Sequence, residues 1–259
     1  MITPSQIQSL AKTHQIDNFT ILREYLQLVF LGHLYSDRKS KHIYFKGGTA
    51  IRLLMGSPRF SEDLDFSTTL TKPLLQQVIH SLEQKIQKEL PTLNIYQLYS
   101  EKTGIRYQIK YHSPDFKYPL NLRLDFTIVK TVIDPVVSPL ITDFPITIFP
   151  IVIHLSSQEI LAEKICALAS RTKGRDYYDT WYLLEKNIPL DATILNLKIR
   201  ENKLDFNPNL LLKKIKSSSQ KTLSLDLAQF LPKSQKRIIP LLLDLLVVQL
   251  SPKFATINL

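Results

Sequence analysis

The chain has 259 residues, 44% of them hydrophobic, and 33 Lys and Arg against 23 Asp and Glu give it a formal charge of +10. That length and apolar content exclude a disordered chain and allow one large domain or two modest ones around packed cores. A single cysteine, Cys166, excludes an intramolecular disulfide and a cysteine-based zinc site, and the six histidines (14, 33, 42, 80, 112 and 154) lack the spacing of a histidine-ligated metal.

Residues 4–35 read as two helices that cap the core, the second with apolar residues at helical spacing from Asn18 to Tyr35. A strand at 42–45 runs into Lys46-Gly47-Gly48-Thr49, a turn that opens a helix through Leu54 and Met55, and a second strand covers 63–66. Helical periodicity over 73–90 ends at Pro91, and strands are predicted near 93–100, 105–111, 120–129 and 145–153. From Ser156 the pattern is helical, interrupted at Gly174, Pro189, Pro208, Pro232 and Pro240, with residues 213–219 expected as an exposed basic loop. The order predicts an α+β fold, with a mixed α/β core and its helical cap in 1–153 and a helical C-terminal domain in 154–259.

Positive charge gathers late, with 11 basic and 4 acidic side chains over residues 198–253. Such a balance attracts RNA, DNA or nucleotides, and also serves as an ordinary solvated surface. The first five residues lack the basic and apolar regions of a secretory signal, and the apolar stretch 238–248 holds Pro240 and Asp244 and is too short to span a bilayer. With the lone cysteine, this predicts a cytoplasmic protein with no membrane partner.

Three of only six glycines, Gly47, Gly48 and Gly56, lie within ten residues. Gly-Gly between strand and helix lets the main chain approach a ligand and leaves helix N–H groups for a phosphate, with Thr49 adding a hydroxyl; the same pair also serves a plain tight turn. In Ser61-Glu62-Asp63-Leu64-Asp65-Phe66, strand alternation sends Asp63 and Asp65 to one face, where two carboxylates repel unless a cation such as Mg²⁺ or Mn²⁺ joins them. A solvated acidic edge is the alternative. Residues 120–128 alternate without error and present Arg123 and Asp125 on their polar face, so a strand placed beside 63–66 brings a third carboxylate to that side. Three convergent aspartates are what two-metal phosphoryl transfer requires.

On the helix expected over 158–169, Lys164 falls inside the apolar stripe, where it either snorkels outward or reaches a triphosphate as a point charge. Glu159, Glu163 and Cys166 lie on the opposite, polar side, where Cys166 reads as an inert packing residue. The loop Arg171-Thr172-Lys173-Gly174-Arg175 is cationic, and Asp176 and Asp179 share a helix face in a first turn that favours negative charge. Tyr177, Tyr178, Trp181 and Tyr182 serve either base stacking or core packing.

Together, Phe45-Lys46-Gly47-Gly48-Thr49-Ala50-Ile51-Arg52-Leu53-Leu54, Arg59-Phe60-Ser61-Glu62-Asp63-Leu64-Asp65-Phe66, Glu163-Lys164 and Arg175-Asp176-Tyr177-Tyr178-Asp179 resemble the AbiEii/AbiGii toxin family of nucleotidyltransferases. The match runs from about 43 to 66 and resumes at 158 to 184. This resemblance implies a core similar to DNA polymerase β-type transferases and transfer of NMP from an NTP to RNA, such as a tRNA acceptor end. A cognate antitoxin would neutralise the activity. It further implies that Lys46, Gly47, Gly48, Thr49, Ser61, Lys164 and Arg175 serve the nucleotide, that Asp63, Asp65 and Asp125 hold the metal, and that Lys164 and Asp176 are catalytic. Two other functions fit the same residues: nucleotide transfer to a protein hydroxyl, and non-catalytic nucleic-acid binding with structural carboxylates.

Overall fold

A computed structural model describes residues 1–257, within a chain that divides into two units, Met1–Leu155 and Ser156–Leu259. The first unit contains α1 (Pro4–His14), α2 (Asn18–Tyr35), β1 (Ile43–Lys46), α3 (Gly47–Met55), β2 (Leu64–Thr68), α4 (Lys72–Gln87), β3 (Leu93–Glu101), β4 (Gly104–Tyr111), β5 (Leu120–Ile128), β6 (Val136–Pro139) and β7 (Ile151–His154). Its seven strands form one sheet in the order β3-β4-β5-β2-β1-β7-β6. Pairing is mixed: β2 runs parallel to β5 and β1 parallel to β7, while the remaining neighbours are antiparallel.

Alternation decides what each sheet face carries. Leu64 and Phe66 on β2, Leu120, Leu122, Leu124 and Phe126 on β5, and Phe45 on β1 are buried. The Phe66 ring stacks on Phe126 at 4.8 Å and lies 5.6 Å from Phe45, and Phe30 of α2 approaches Phe66 at 6.2 Å. Helix α2 is therefore a core helix and not the cap expected for residues 18–35: it is buried along nearly its whole length between Thr20 and Leu34, as an apolar helix must be. Asp17 caps its start by accepting from the Thr20 amide. The strand expected at 145–153 is confined to β7, because Pro145 and Pro150 interrupt the pattern before it. The short edge strand β6, ending in Pro139, has no clear alternation to reveal it.

The second unit is helical, with α5 (Ser157–Ser170), α6 (Gly174–Glu185), α7 (Ala192–Glu201), α8 (Pro208–Lys216), α9 (Gln220–Ala228), a 3₁₀ segment Lys233–Leu241 and α10 (Leu242–Thr256). Side chains of Ser156, Asp191, Asn207 and Ser219 cap four of these helices at their starts. α5 packs on α6 and α7, while α10 packs on α6 and α8. Tyr177, Tyr178 and Tyr182 are buried, so this aromatic cluster belongs to the core.

These helices correct two expectations. Residues 213–216 are the last turn of α8 and not a loop, since the cations Lys213, Lys214 and Lys216 favour a helix C-terminus. The apolar tail is also longer than residues 238–248 suggest: Lys233–Thr256 is helical throughout and, by length and composition alone, could cross a membrane. Leu242, Leu246, Leu250 and Phe254, spaced by four, are nonetheless buried within the unit, which is how a core helix behaves.

Candidate active site

Strand β1 ends at Lys46, and Gly47 turns the chain into α3 with φ +78°. No side chain caps that helix start, which leaves its first amide N–H groups for another acceptor. The turn lies hard against the acidic strand. A Cβ placed on Gly47 would collide with Asp65 Oδ2, so glycine is required by the neighbour as well as by the backbone. The Thr49 hydroxyl, expected at the phosphates, is buried and donates to the Asp63 carbonyl, tying α3 to the residue before β2. Gly48 is buried beside it.

Across the sheet, register aligns Lys46 with Asp65, Asp65 with Asp125, and Asp125 with Arg106. One rung thus carries two adjacent carboxylates between two cations, all on the face opposite the phenylalanines. Arg106 grips Asp125 with Nε and a terminal nitrogen, the latter at 3.1 Å. Arg123 grips Asp63 in the same forked way at 2.9 and 2.7 Å. Each Asp–Arg contact raises the pKa of its guanidinium further, Arg106 through its hydrogen bond to Asp125 and Arg123 through its hydrogen bond to Asp63.

Among the described residues, no group of three or more His, Cys, Asp or Glu side chains is arranged to hold a metal ion. Asp65 stands beside Asp125 in register, and Asp63, just before β2, is paired with Arg123 on the strand that carries Asp125. A pair still fits Mg²⁺, which takes one or two carboxylates plus substrate phosphates more readily than a closed protein cage.

Helix α2 supplies residues that sequence reasoning missed. Glu24 is buried and accepts both a 2.9 Å and a 3.1 Å bond from Arg52 of α3. Arg52 also donates to the Ser57 carbonyl at 2.9 Å and lies over the Phe60 ring at 3.8 Å. Gln27 donates to the Ser61 carbonyl at 3.0 Å, and Arg59, itself buried, donates to the Phe60 carbonyl at 2.8 Å. The segment leading from α3 to Asp63 is therefore held by polar bonds under cover. Ser61 accepts that bond through its main-chain carbonyl. The sequence signal was faint: Glu24 and Gln27 are isolated polar residues in an apolar helix, easily read as solvent-facing.

In the second unit, Lys164 does not snorkel to the surface. Its ammonium donates to Asp176 at 3.0 Å and pairs with Asp179 at 2.7 Å, both aspartates being buried. Arg171 adds two bonds to Asp176, at 2.7 and 3.1 Å. Burial alone would raise the Asp176 carboxyl, but Lys164 and Arg171 overcome it and hold the group well below the ordinary carboxylate range. Arg175 lies over the Phe230 ring at 5.2 Å. The supposedly polar side of α5 is also buried: Lys198 of α7 meets Glu159 at 2.7 Å and Glu163 at 3.7 Å, and Cys166 has its thiol pushed up to about 12 by burial. Cys166 is buried, the packing position expected of it.

A family model described as "Nucleotidyl transferase AbiEii toxin, Type IV TA system" matches residues 29–253. No curated protein sequence matches the chain. Among solved structures, the chain is similar to MenT4, a nucleotidyltransferase toxin from Mycobacterium tuberculosis H37Rv, with a TM-score of 0.65 and 15% identity over 97% of this chain and 90% of that one. It is also similar to JHP933 from Helicobacter pylori, with a TM-score of 0.53 and 21% identity over 93% of this chain and 97% of that one. At these identities the structural likeness establishes the shared fold, while the family match carries the chemistry.

Proposed function

The chain belongs to the AbiEii nucleotidyltransferase toxin family of type IV toxin–antitoxin systems, and from that premise we propose that it transfers NMP from an NTP to a hydroxyl of RNA, such as a tRNA acceptor end. The observation that carries this reading is the pairing of Asp65 with Asp125 beside the uncapped helix start at Gly47. Negative phosphate oxygens are stabilised by free amides at a helix N-terminus, and Lys46 stands in the same rung as the aspartates. Asp65 and Asp125, with Asp63 as a third candidate, would hold a divalent ion such as Mg²⁺ or Mn²⁺. When bound, the ion neutralises phosphate charge and lowers the pKa of the attacking hydroxyl. In the reaction, the acceptor oxygen bonds to the α-phosphorus as the bond from that phosphorus to pyrophosphate breaks, and the hydroxyl proton passes to solvent. Arg106 and Arg123 hold two of the three carboxylates, Asp125 and Asp63, in fixed orientations for that work.

The family motif extends the proposal to Lys164, Arg175 and Asp176 as nucleotide-binding and catalytic residues, with Gly48, Thr49 and Ser61 shaping the turn. The protein acts in the cytoplasm and is neutralised by a cognate antitoxin. The test is incubation with each labelled NTP, Mg²⁺ and total tRNA, in parallel with Asp65→Asn. Label in RNA with the native chain and none with the variant supports the reading. Label that migrates with protein would instead establish nucleotide transfer to a protein hydroxyl, and no label in either would defeat both.

A further inference from the structure

Around the start of α6, the second unit buries its acids and leaves lysines exposed. Asp176 and Asp179 are buried against Lys164, and Arg171 covers Asp176. Asp226 of α9 spends a carboxylate oxygen on the Gly174 amide at 2.8 Å. Close to these spent acids stand four exposed lysines, Lys173, Lys213, Lys216 and Lys221. Among the described residues, none of the four makes an ion pair.

Specific bonds bring their three segments together. The Lys214 ammonium donates to the carbonyls of Leu168, Ala169 and Arg171 at 2.7, 3.0 and 3.1 Å, fastening the end of α8 to the end of α5 and the turn beyond it. The Tyr177 and Ser218 hydroxyls meet at 2.7 Å, so the turn between α8 and α9 touches the first turns of α6. Lys173 immediately precedes α6, Lys213 and Lys216 end α8, and Lys221 opens α9.

Helix stability accounts for only half of this arrangement. Lys213 and Lys216 complement the negative end of α8, but Lys173 and Lys221 put positive charge at the starts of α6 and α9, where the helix dipole disfavours it. Four like charges on one fastened corner repel one another unless an anion is shared among them.

We propose that this corner, bearing Lys173, Lys213, Lys216 and Lys221, is the docking surface for the phosphate backbone of the RNA acceptor. The proposal rests on the reading of the chain as an RNA-directed nucleotidyltransferase. Lysines without base-reading partners grip phosphate as point charges, so docking here is tolerant of sequence and steeply dependent on salt.

The experiment compares the native chain with Lys213→Glu/Lys216→Glu and with a charge-matched control, Lys12→Glu/Lys88→Glu, whose lysines are exposed in the first unit. Affinity for total tRNA is measured at several salt concentrations, together with KM and kcat for RNA labelling. The expected result is affinity lower by about 10-fold or more and a salt slope shallower by about 0.7–0.9 for each phosphate no longer neutralised by a lysine. KM for RNA should rise with kcat held, and the control should stay near native. Unchanged RNA affinity in the α8 variant, or an equal loss in the control, would overturn this surface while native labelling of RNA left the proposed function standing. A native chain that labels no RNA would remove the functional reading itself, and this surface with it.

Discussion

Asp65 and Asp125 face each other across the parallel strands β2 and β5, one rung of the sheet putting two carboxylates side by side at a strand spacing of about 4.8 Å. Like charges directly opposite destabilise a sheet unless compensated; Arg106 compensates Asp125 here, and a divalent ion shared with Asp65 is the further compensation the proposed function supplies. Asp65→Asn should therefore leave the melting temperature unchanged or slightly raised, while nucleotide transfer falls on the order of 100-fold to 1000-fold. The same variant should lose any thermal stabilisation by Mg²⁺ with NTP. A variant that melts lower and still transfers would sink the assignment.

Gly47 depends on Asp65 in turn. Gly47→Ala puts a Cβ into the Asp65 carboxylate and into a left-handed backbone, the second effect alone costing about 1–2 kcal/mol. To relieve the clash, the aspartate or the turn must move. Transfer should be lost to the same degree as in Asp65→Asn, with a lower melting temperature that distinguishes the two variants in a thermal scan.

Much of this site was legible in the residues alone, because strand alternation binds residue identity to sheet face. Leu120 through Ile128 declared its apolar side, and Asp125 therefore fell on the side of Asp63 and Asp65 once β5 lay beside β2. The register that brings Arg106 against Asp125 was not legible, since pairing of distant strands leaves no local signal. Nor was the burial of Glu24, Gln27 and Glu159, whose polarity suggests solvent until a partner such as Arg52, Ser61 or Lys198 is known. Lys164 shows the same limit. Its place in an apolar stripe signalled something unusual, but only the fold names Asp176 and Asp179 as its partners.

The buried ion clusters of the second unit set two pH limits. Asp176 has a folded pKa below its unfolded value of about 3.9, so its contribution is present above that value and is lost as pH falls through the folded one. Lys198 works in the opposite sense. Burial would lower it, but Glu163, Glu159 and Glu201 lift it to about 12, so its contribution is full below the unfolded pKa of about 10.4 and disappears as pH rises toward 12. Asp176→Asn should cost about 3 kcal/mol near neutrality by leaving Arg171 and part of the Lys164 charge uncompensated. Its acid unfolding should be correspondingly less steep below about pH 4. Lys198→Met should flatten the alkaline limb and also lower stability near neutrality, because it leaves Glu159 buried without its cation, and chemical denaturation across pH reads both variants.

Gln27 separates positioning from stability. Its Nε2 holds the Ser61 carbonyl, while its Oε1 is buried without a hydrogen-bond partner, a cost of about 1–3 kcal/mol. Gln27→Leu removes that orphaned acceptor as it releases the Ser61 carbonyl, so the two effects offset and the melting temperature should move by only a few degrees. Activity has no such compensation, because the segment that carries Ser61, Glu62 and Asp63 into β2 loses its tie to α2. We expect kcat to fall about 10-fold or more with KM for NTP little changed, since a small displacement of a reacting group is enough for such a loss. Gln27→Glu, which keeps the length but not the donor, should fall with Leu. A Gln27→Leu enzyme with native kcat would show that the bond to Ser61 serves packing alone.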